Sequence, residues 1–362
     1  MTDYHKKRID SLKAAINSAD EALLITNEVN IGYFTGFFHS EGALLVTQDK
    51  TWLLVDFRYH EAAQKKSHAC EVICFQRLSD ELLKLMKQEK VTSLRVEIAY
   101  LSVERCLFFK KKFSEEGIEI LTDNVLDNII ASLRILKDET EIEKLRKAQQ
   151  IAEKAYLELL NDVKPGITER MLAAKMEYLM KIYGAEDKSF DLITITGKKT
   201  SLPHGVPSDD VVKEGDFVTF DFGAIYEGYH SDTTRTVAVG HADDEMKKIY
   251  EIVLEAQLKA LTVVKAGVAA AEVDKTARDL ITSAGYGEYF GHSTGHGVGL
   301  DIHENPAVSA RSDAVLQEGM IITDEPGIYL PGKFGVRIED MLCVTESGYE
   351  NFVTLSKELI IL

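Results

Sequence analysis

Positive charge is in short supply in this chain: 42 Lys and Arg stand against 59 Asp and Glu, a formal net charge of -17 over 362 residues. Nucleic acid and anionic membrane surfaces both select basic patches, so neither is an expected partner. Cysteine is scarce as well. Cys70, Cys74, Cys106 and Cys343 are scattered without the paired spacing of a zinc site, which reads as reduced thiols in a cytoplasmic protein. No stretch approaches the roughly 20 apolar residues of a membrane span. The first thirty residues also hold no long apolar run followed by a small-residue cleavage site.

What is present is enough for a full core. Hydrophobic residues make up 45% and charged residues 28% of the chain, and the length predicts two domains. Between about residues 21 and 130, β-branched and apolar runs predict strands at 22–26, 42–47, 51–57 and 71–75, with a hairpin turn between the second and third. Helical spacing covers 78–90 and 102–117, the latter closed by Gly117. This is a small α/β domain, assigned to residues 1–130. It holds one polar cluster of note, Asp56, Arg58, Tyr59 and His60, read as a strand end or a substrate contact. A long amphipathic helix over 138–163 opens the second region, assigned to 131–362, and the border is placed within 128–136.

The second region repeats itself. A shift of 101 residues lays Ile151, Ala155, Val163, Lys164, Gly166 and Gly184 on Ile252, Ala256, Val264, Lys265, Gly267 and Gly285. Each copy reads as helix, then V-K-x-G, then a second helix ending in Gly. A shift of 104 lays Glu214, Gly215, Thr219, Asp221 and Gly223 on Glu318, Gly319, Thr323, Glu325 and Gly327, and a shift of 107 lays Asp232 on Glu339. Two copies predict a pseudo-twofold domain and not a solenoid.

The repeat carries carboxylates onto carboxylates. Phe217, Thr219 and Asp221 share one strand face, and glycines at 223 and 228 let SDTTRTVAV return beside it with Asp232. In the second copy, strand GVRIEDML puts Arg337 and Glu339 on the face opposite Val336 and Ile338, and Glu325 and Glu339 take the places of Asp221 and Asp232. Close carboxylates repel unless a cation or proton lies between them. Between the hairpins runs GHSTGHGVGLDIHENP, whose glycines at 291, 295, 297 and 299 exclude a stable helix and allow close backbone approach. If extended, it sets His292 and His296 on one side. Four carboxylates and one imidazole form an oxygen-rich shell suited to Mn²⁺ or a similar divalent ion, and two such ions balance the four charges.

At these residues the chain resembles the pita-bread metallopeptidases, especially the aminopeptidase P and prolidase group that cleaves Xaa-Pro bonds. The resemblance runs through LPHG (202–205), DFG (221–223), SDTTRT (231–236), the histidine-bearing glycine-rich run, EPGIY (325–329) and GVRIED (335–340). The first region looks like the group's creatinase-type amino domain. The fold expected is therefore an α/β creatinase-type domain followed by an α+β pita-bread catalytic domain.

The resemblance implies two divalent ions, Mn²⁺ first and Co²⁺ or another as alternatives, with Asp221 on one, Asp232 and Glu339 bridging, and His296 and Glu325 on the other. It implies that Glu325 also moves protons, that His204, His292 and His303 serve substrate and transition state, and that Arg337 steadies the bridging carboxylates. Asp324 departs from the pattern, since an apolar residue commonly precedes E-P-G; on a strand it points away from Glu325. The activity implied is an aminopeptidase P-like release of the residue before proline from peptides, with prolidase action on Xaa-Pro dipeptides as the alternative. A homodimer is implied too. Metal-free creatinase-like amidinohydrolysis and a non-catalytic pita-bread binding module are the competing readings, and the retained ligand set argues against both.

Overall fold

The computed structural model describes residues 4–38 and 41–362. The chain divides into two compact units, Met1–Arg134 and Ile135–Leu362.

The first unit is a six-stranded sheet with helices. Its strands are β1 (Glu21–Ile25), β2 (Ala43–Val46), β3 (Thr51–Val55), β4 (Glu71–Cys74), β5 (Ser93–Val96) and β6 (Glu119–Leu121), in spatial order β4-β3-β2-β1-β5-β6. β2 and β3 form the expected hairpin, Val46 opposite Thr51. The other neighbours across β3/β4, β1/β5 and β5/β6 are parallel. Helices α1 (Tyr4–Ala14), α2 (Glu28–Thr35), α3 (Phe57–Lys66), α4 (Leu78–Gln88), α5 (Val103–Ser114) and α6 (Val125–Arg134) complete the unit. β5, β6 and the short helices α2, α3 and α6 were not anticipated. Their apolar runs are too short to show a period without the sheet they pack on.

The Asp56 cluster is a helix start and not a strand end. Asp56 caps α3 by accepting the Arg58 N–H at 2.8 Å, and Arg58 turns back to Asp56 and to Glu41. The unit runs to Arg134 because α6 is tied into it: Tyr33 Oη donates to Leu133 O at 2.8 Å and Arg134 to Asn30 Oδ1 at 2.7 Å.

In the second unit α7 (Glu139–Leu159) starts at a capping box. Asp138 Oδ1 accepts the N–H groups of Thr140 and Glu141, while Glu141 reaches back to the Asp138 N–H. The helix buries Leu145, Ala148, Ala152, Ala155, Tyr156 and Leu159 at helical spacing, and the Tyr156 ring stacks on Phe222 at 5.0 Å. α8 (Glu169–Ile182), α9 (Asp244–Leu261) and α10 (Ala270–Ser283) follow.

The strands are β7 (Asp187–Lys188), β8 (Ile193–Thr196), β9 (Phe217–Phe222), β10 (Ala224–Tyr226), β11 (Tyr229–His230), β12 (Thr233–Ala238), β13 (Gly295–Gly297), β14 (Glu304–Val308), β15 (Ile321–Asp324), β16 (Gly327–Leu330), β17 (Phe334–Arg337), β18 (Asp340–Val344) and β19 (Tyr349–Asn351). One half builds the sheet β12-β9-β8, the other the sheet β14-β13-β15-β18-β19, with β16–β17 as a separate hairpin.

The repeat extends to backbone detail. Gly166, Gly184 and Gly215 have φ of 93°, 106° and 83°, and their counterparts Gly267, Gly285 and Gly319 have 87°, 89° and 85°. An isolated bridge joins Thr168 to Val211 in one half and Ala269 to Val315 in the other. Left-handed turns at matching points make the two halves fold back in the same way.

One expected strand is broken. GVRIEDML does not run as one piece: β17 ends at Arg337 in the hairpin with β16, and β18 begins at Asp340 beside β15. The N–H of Ile338 goes to Pro326 O and that of Glu339 to Thr234 O, at 3.1 Å for the latter. Glu339 thus leaves its own ladder and bonds to the strand of the other half.

Candidate metal centre

Each acidic side chain reaches the centre from a strand end. Asp221 lies in β9 opposite Thr234, and Asp232 sits one residue before β12. Glu325 follows β15 and Glu339 fills the break between β17 and β18. His296 comes from β13, where glycines are a packing requirement. A Cβ on Gly295 would stand 2.0 Å from Thr323 O, and one on Gly297 2.2 Å from Asn305 O. Only glycine lets β13 lie between β14 and β15 and bring His296 to the acids.

One cavity of about 470 Å³ gathers all nine residues singled out in the sequence: Asp221, Asp232, His296, Glu325, Glu339, His204, His292, His303 and Arg337. The tightest group is Asp232, His296 and Glu339, whose ligand atoms lie within 4.8 Å of one another. His296 Nε2 is 3.5 Å from Asp232 Oδ2 and 3.6 Å from Glu325 Oε1. Asp221 is held differently, with Oδ2 on Arg337 Nη2 at 2.6 Å and Oδ1 buried and without a hydrogen-bond partner.

These residues fit a divalent-cation centre. A buried carboxylate oxygen with no donor is costly unless something positive faces it. His296 is preset as a ligand: Nδ1 lies 3.0 Å from Gly297 O, so in the neutral ring the proton sits on Nδ1 and the Nε2 lone pair faces the acids. Burial pushes His296 down to about 4, which keeps that lone pair free. Burial, then the Asp221 and Glu325 charges, raises Asp232 well above the usual carboxylate range. Glu339 is raised by burial and by Asp232. Burial, reinforced by Asp221 and opposed by Arg337, pushes Glu325 up to about 7. Acids so strained by one another accept a cation readily.

The three remaining histidines divide. His204 and His303 are exposed within the cavity lining. His292 has both ring nitrogens engaged, Nδ1 at 2.8 Å from Ser293 O and Nε2 at 2.9 Å from Tyr329 Oη. Burial, with Arg337 nearby, lowers it to about 4, so the ring is neutral. Its Nδ1–H donates to the carbonyl and its Nε2 accepts from the tyrosine. The Tyr329 oxygen in turn accepts from Arg337 Nη1 at 2.9 Å.

Other groups at the centre had no signal in the sequence. Thr234 Oγ1 donates to Glu339 Oε2 at 2.7 Å and accepts from Arg337 Nε at 3.0 Å. Asp274 on α10 accepts from the Thr294 N–H and hydroxyl and pairs with Arg278, which donates to Phe290 O and His292 O. A threonine between two charged side chains and an aspartate on a distant helix look ordinary until the chain is folded. Asp324 is not among the residues that line the metal cavity. It lies opposite Asp340 in the sheet, fully buried, with neither oxygen hydrogen-bonded.

Comparison with known proteins agrees with this geometry. Residues 143–346 match metallopeptidase family M24, and residues 8–136 match the creatinase/prolidase N-terminal domain. The chain is 42% identical over 361 residues to an Xaa-Pro dipeptidase of Pyrococcus horikoshii, covering 99% of each chain. Among solved structures it is similar to an Xaa-Pro dipeptidase from Bacillus anthracis, at 42% identity, TM-score 0.93 and coverage of 99% and 100%. It is also similar to an X-Pro aminopeptidase from Thermotoga maritima, at 39% identity, TM-score 0.89 and coverage of 94% and 97%. With its four converging carboxylates, its preset imidazole and both domains matched, the chain belongs to the M24 pita-bread metallopeptidases and carries their creatinase-type amino domain.

Proposed function

We propose that this metallopeptidase is an Xaa-Pro dipeptidase. The observation that carries the reading is the complete acid–imidazole centre in a chain that aligns end to end with Xaa-Pro dipeptidases. The main expectation from sequence, release of the residue before proline from longer peptides, gives way to its alternative on this ground. Trimming of longer peptides is kept as the second reading for two reasons. One similar structure is an X-Pro aminopeptidase, and a second cavity of about 570 Å³ shares Asp191, Ile193 and His204 with the first, leaving room for more chain.

In this reading Asp221, Asp232, His296, Glu325 and Glu339 hold two divalent ions, Mn²⁺ before Co²⁺. When bound, such ions supply a nucleophile by acidifying water and polarise the scissile carbonyl. The side chains do the rest. Glu325, at the centre beside His296, takes a proton and passes it to the leaving proline nitrogen. That transfer is required because the nitrogen of a tertiary amide leaves poorly as an anion. His204 and His303, exposed in the cavity, orient the substrate and donate to the developing oxyanion. His292, with both nitrogens used, is a post that sets the Tyr329 hydroxyl and through it Arg337. The reading also takes residues 131–362 as the catalytic domain, a cytoplasmic setting and a homodimer; light scattering on the purified chain measures the last.

The test is a panel of Xaa-Pro, Xaa-Pro-Yaa and Xaa-Ala-Yaa peptides after reconstitution with manganese or cobalt. Cleavage confined to Xaa-Pro is the expected result. Faster cleavage of Xaa-Pro-Yaa returns the assignment to an aminopeptidase, and preference for Xaa-Ala-Yaa refutes proline selectivity.

A further inference from the structure

We propose that Glu169 is a positioning residue that sets His204 for turnover. Glu169 opens α8 and is fully buried, yet it lies outside the metal cavity and carries no ligand role. Its carboxylate gathers donors from both ends of one loop. Oε1 accepts the Thr196 N–H at 2.8 Å; Oε2 accepts the Ser208 N–H at 2.8 Å, the Ser208 hydroxyl at 3.0 Å and the Lys199 ammonium at 2.6 Å. The main chain repeats the closure, since Glu169 N–H bonds Asp210 O and Arg170 N–H bonds Ser208 O. Residues 197–208 are thus cinched at their base, and His204 stands within the enclosed span.

The same loop touches the centre at two more points. Arg337 Nη1 donates to Pro203 O at 3.3 Å, and the Gly335 N–H donates to Thr200 Oγ1 at 2.9 Å. Loosening the base therefore moves His204 relative to Arg337 without removing a metal ligand. The other half holds His292 by a chemically similar device, the buried Asp274 with Arg278. A buried carboxylate paired with a cation and saturated by backbone donors is a stiff anchor, because each lost donor leaves charge uncompensated.

The inference rests on the reading of His204 as a substrate-side group. The experiment uses the full chain with manganese restored, as wild type, Glu169→Gln, His204→Ala and the double variant, assayed on whichever panel peptide the wild type cleaves best. Glu169→Gln is expected to keep its metal content, to speed amide hydrogen exchange across 197–208 and not across 320–344, and to lower kcat roughly 10–100-fold. In the His204→Ala background the same change is expected to cost less than about twofold, the non-additivity of residues acting as one unit. A merely structural role predicts the same fold loss in both backgrounds, and that result overturns the proposal. So does unchanged exchange in 197–208, or metal lost in step with activity. His204→Ala as active as wild type refutes the role of His204 itself, a result distinct from additivity, which refutes Glu169 alone. Should Glu169→Gln not fold, Lys199→Met removes the clamp's cation and is judged by the same cycle.

Discussion

Arg337 and Asp221 are 116 positions apart in the chain, yet Nη2 of one lies 2.6 Å from Oδ2 of the other at the heart of the acidic centre. The same guanidinium also bonds Thr234 Oγ1, Tyr329 Oη and Pro203 O, so it ties both halves and the His204 loop to one planar group.

Arg337→Lys keeps the charge and loses the fork, because an ammonium cannot serve four partners spread in one plane. The expected outcome is a fall in kcat/KM of roughly 100-fold with both ions retained. Steady-state kinetics alongside elemental analysis check it, and a near-normal rate refutes the bracing role.

Metal loading is expected to depend on pH with a definite sign. Burial and mutual repulsion raise Glu325 to about 7 and raise Asp232 and Glu339 well above their ordinary range. A cation must displace those protons, so affinity rises with pH, by about tenfold per pH unit for each proton displaced. For stability of the stripped protein the sign reverses. The folded-state pKa of Glu325 lies above the unfolded value, so its contribution is fully present below about 4.5 and is lost as pH rises through about 7. Melting of stripped and loaded protein at pH 5, 6, 7 and 8 should show a gap that widens with pH.

Asp324→Asn is expected to stabilise the protein at pH 8 by about 1–3 kcal/mol, the cost of a buried group left without donors. Burial, then the neighbouring Asp340 charge, raises Asp324 well above the ordinary carboxylate range. A raised folded pKa means that the wild type loses stability as pH rises through and beyond the unfolded value, so the gain should shrink toward pH 4. Urea unfolding at the two pH values decides it; an equal effect at both refutes the charge argument.

Arg235→Met should act in the opposite direction and destabilise the protein. Arg235 is buried and donates to Thr234 O, Glu339 O, Ser356 O, Leu355 O and Asp340 Oδ1, joining β12 to the β18 side. Removing one partner of a buried pair costs about 3–5 kcal/mol. Urea unfolding should show that loss, together with weaker retention of metal through the displaced Glu339.

The chain sequence by itself determined the duplication, since V-K-x-G and the acid pairs recur at nearly constant shift. It also determined the chemistry of the centre, because side-chain type is written in the chain and four acids cannot share a pocket unneutralised. The glycines of GHSTGHGVGL announced an extended, closely packed segment, and a Cβ added at Gly297 of β13 would stand only 2.2 Å from Asn305 O of β14. Tertiary structure alone decided the break at Ile338–Glu339. Local alternation favours one continuous strand there, and only the Thr234 carbonyl of the other half draws the Glu339 N–H out of its ladder. It alone decided that His292 is spent on Tyr329 while His204 and His303 remain exposed, because a histidine's use depends on which acceptors surround its two nitrogens. Glu169 and Asp274 are likewise invisible as sites in one dimension. Their burial and their partners come from contacts between elements far apart in the chain, and spacing carries no record of those contacts.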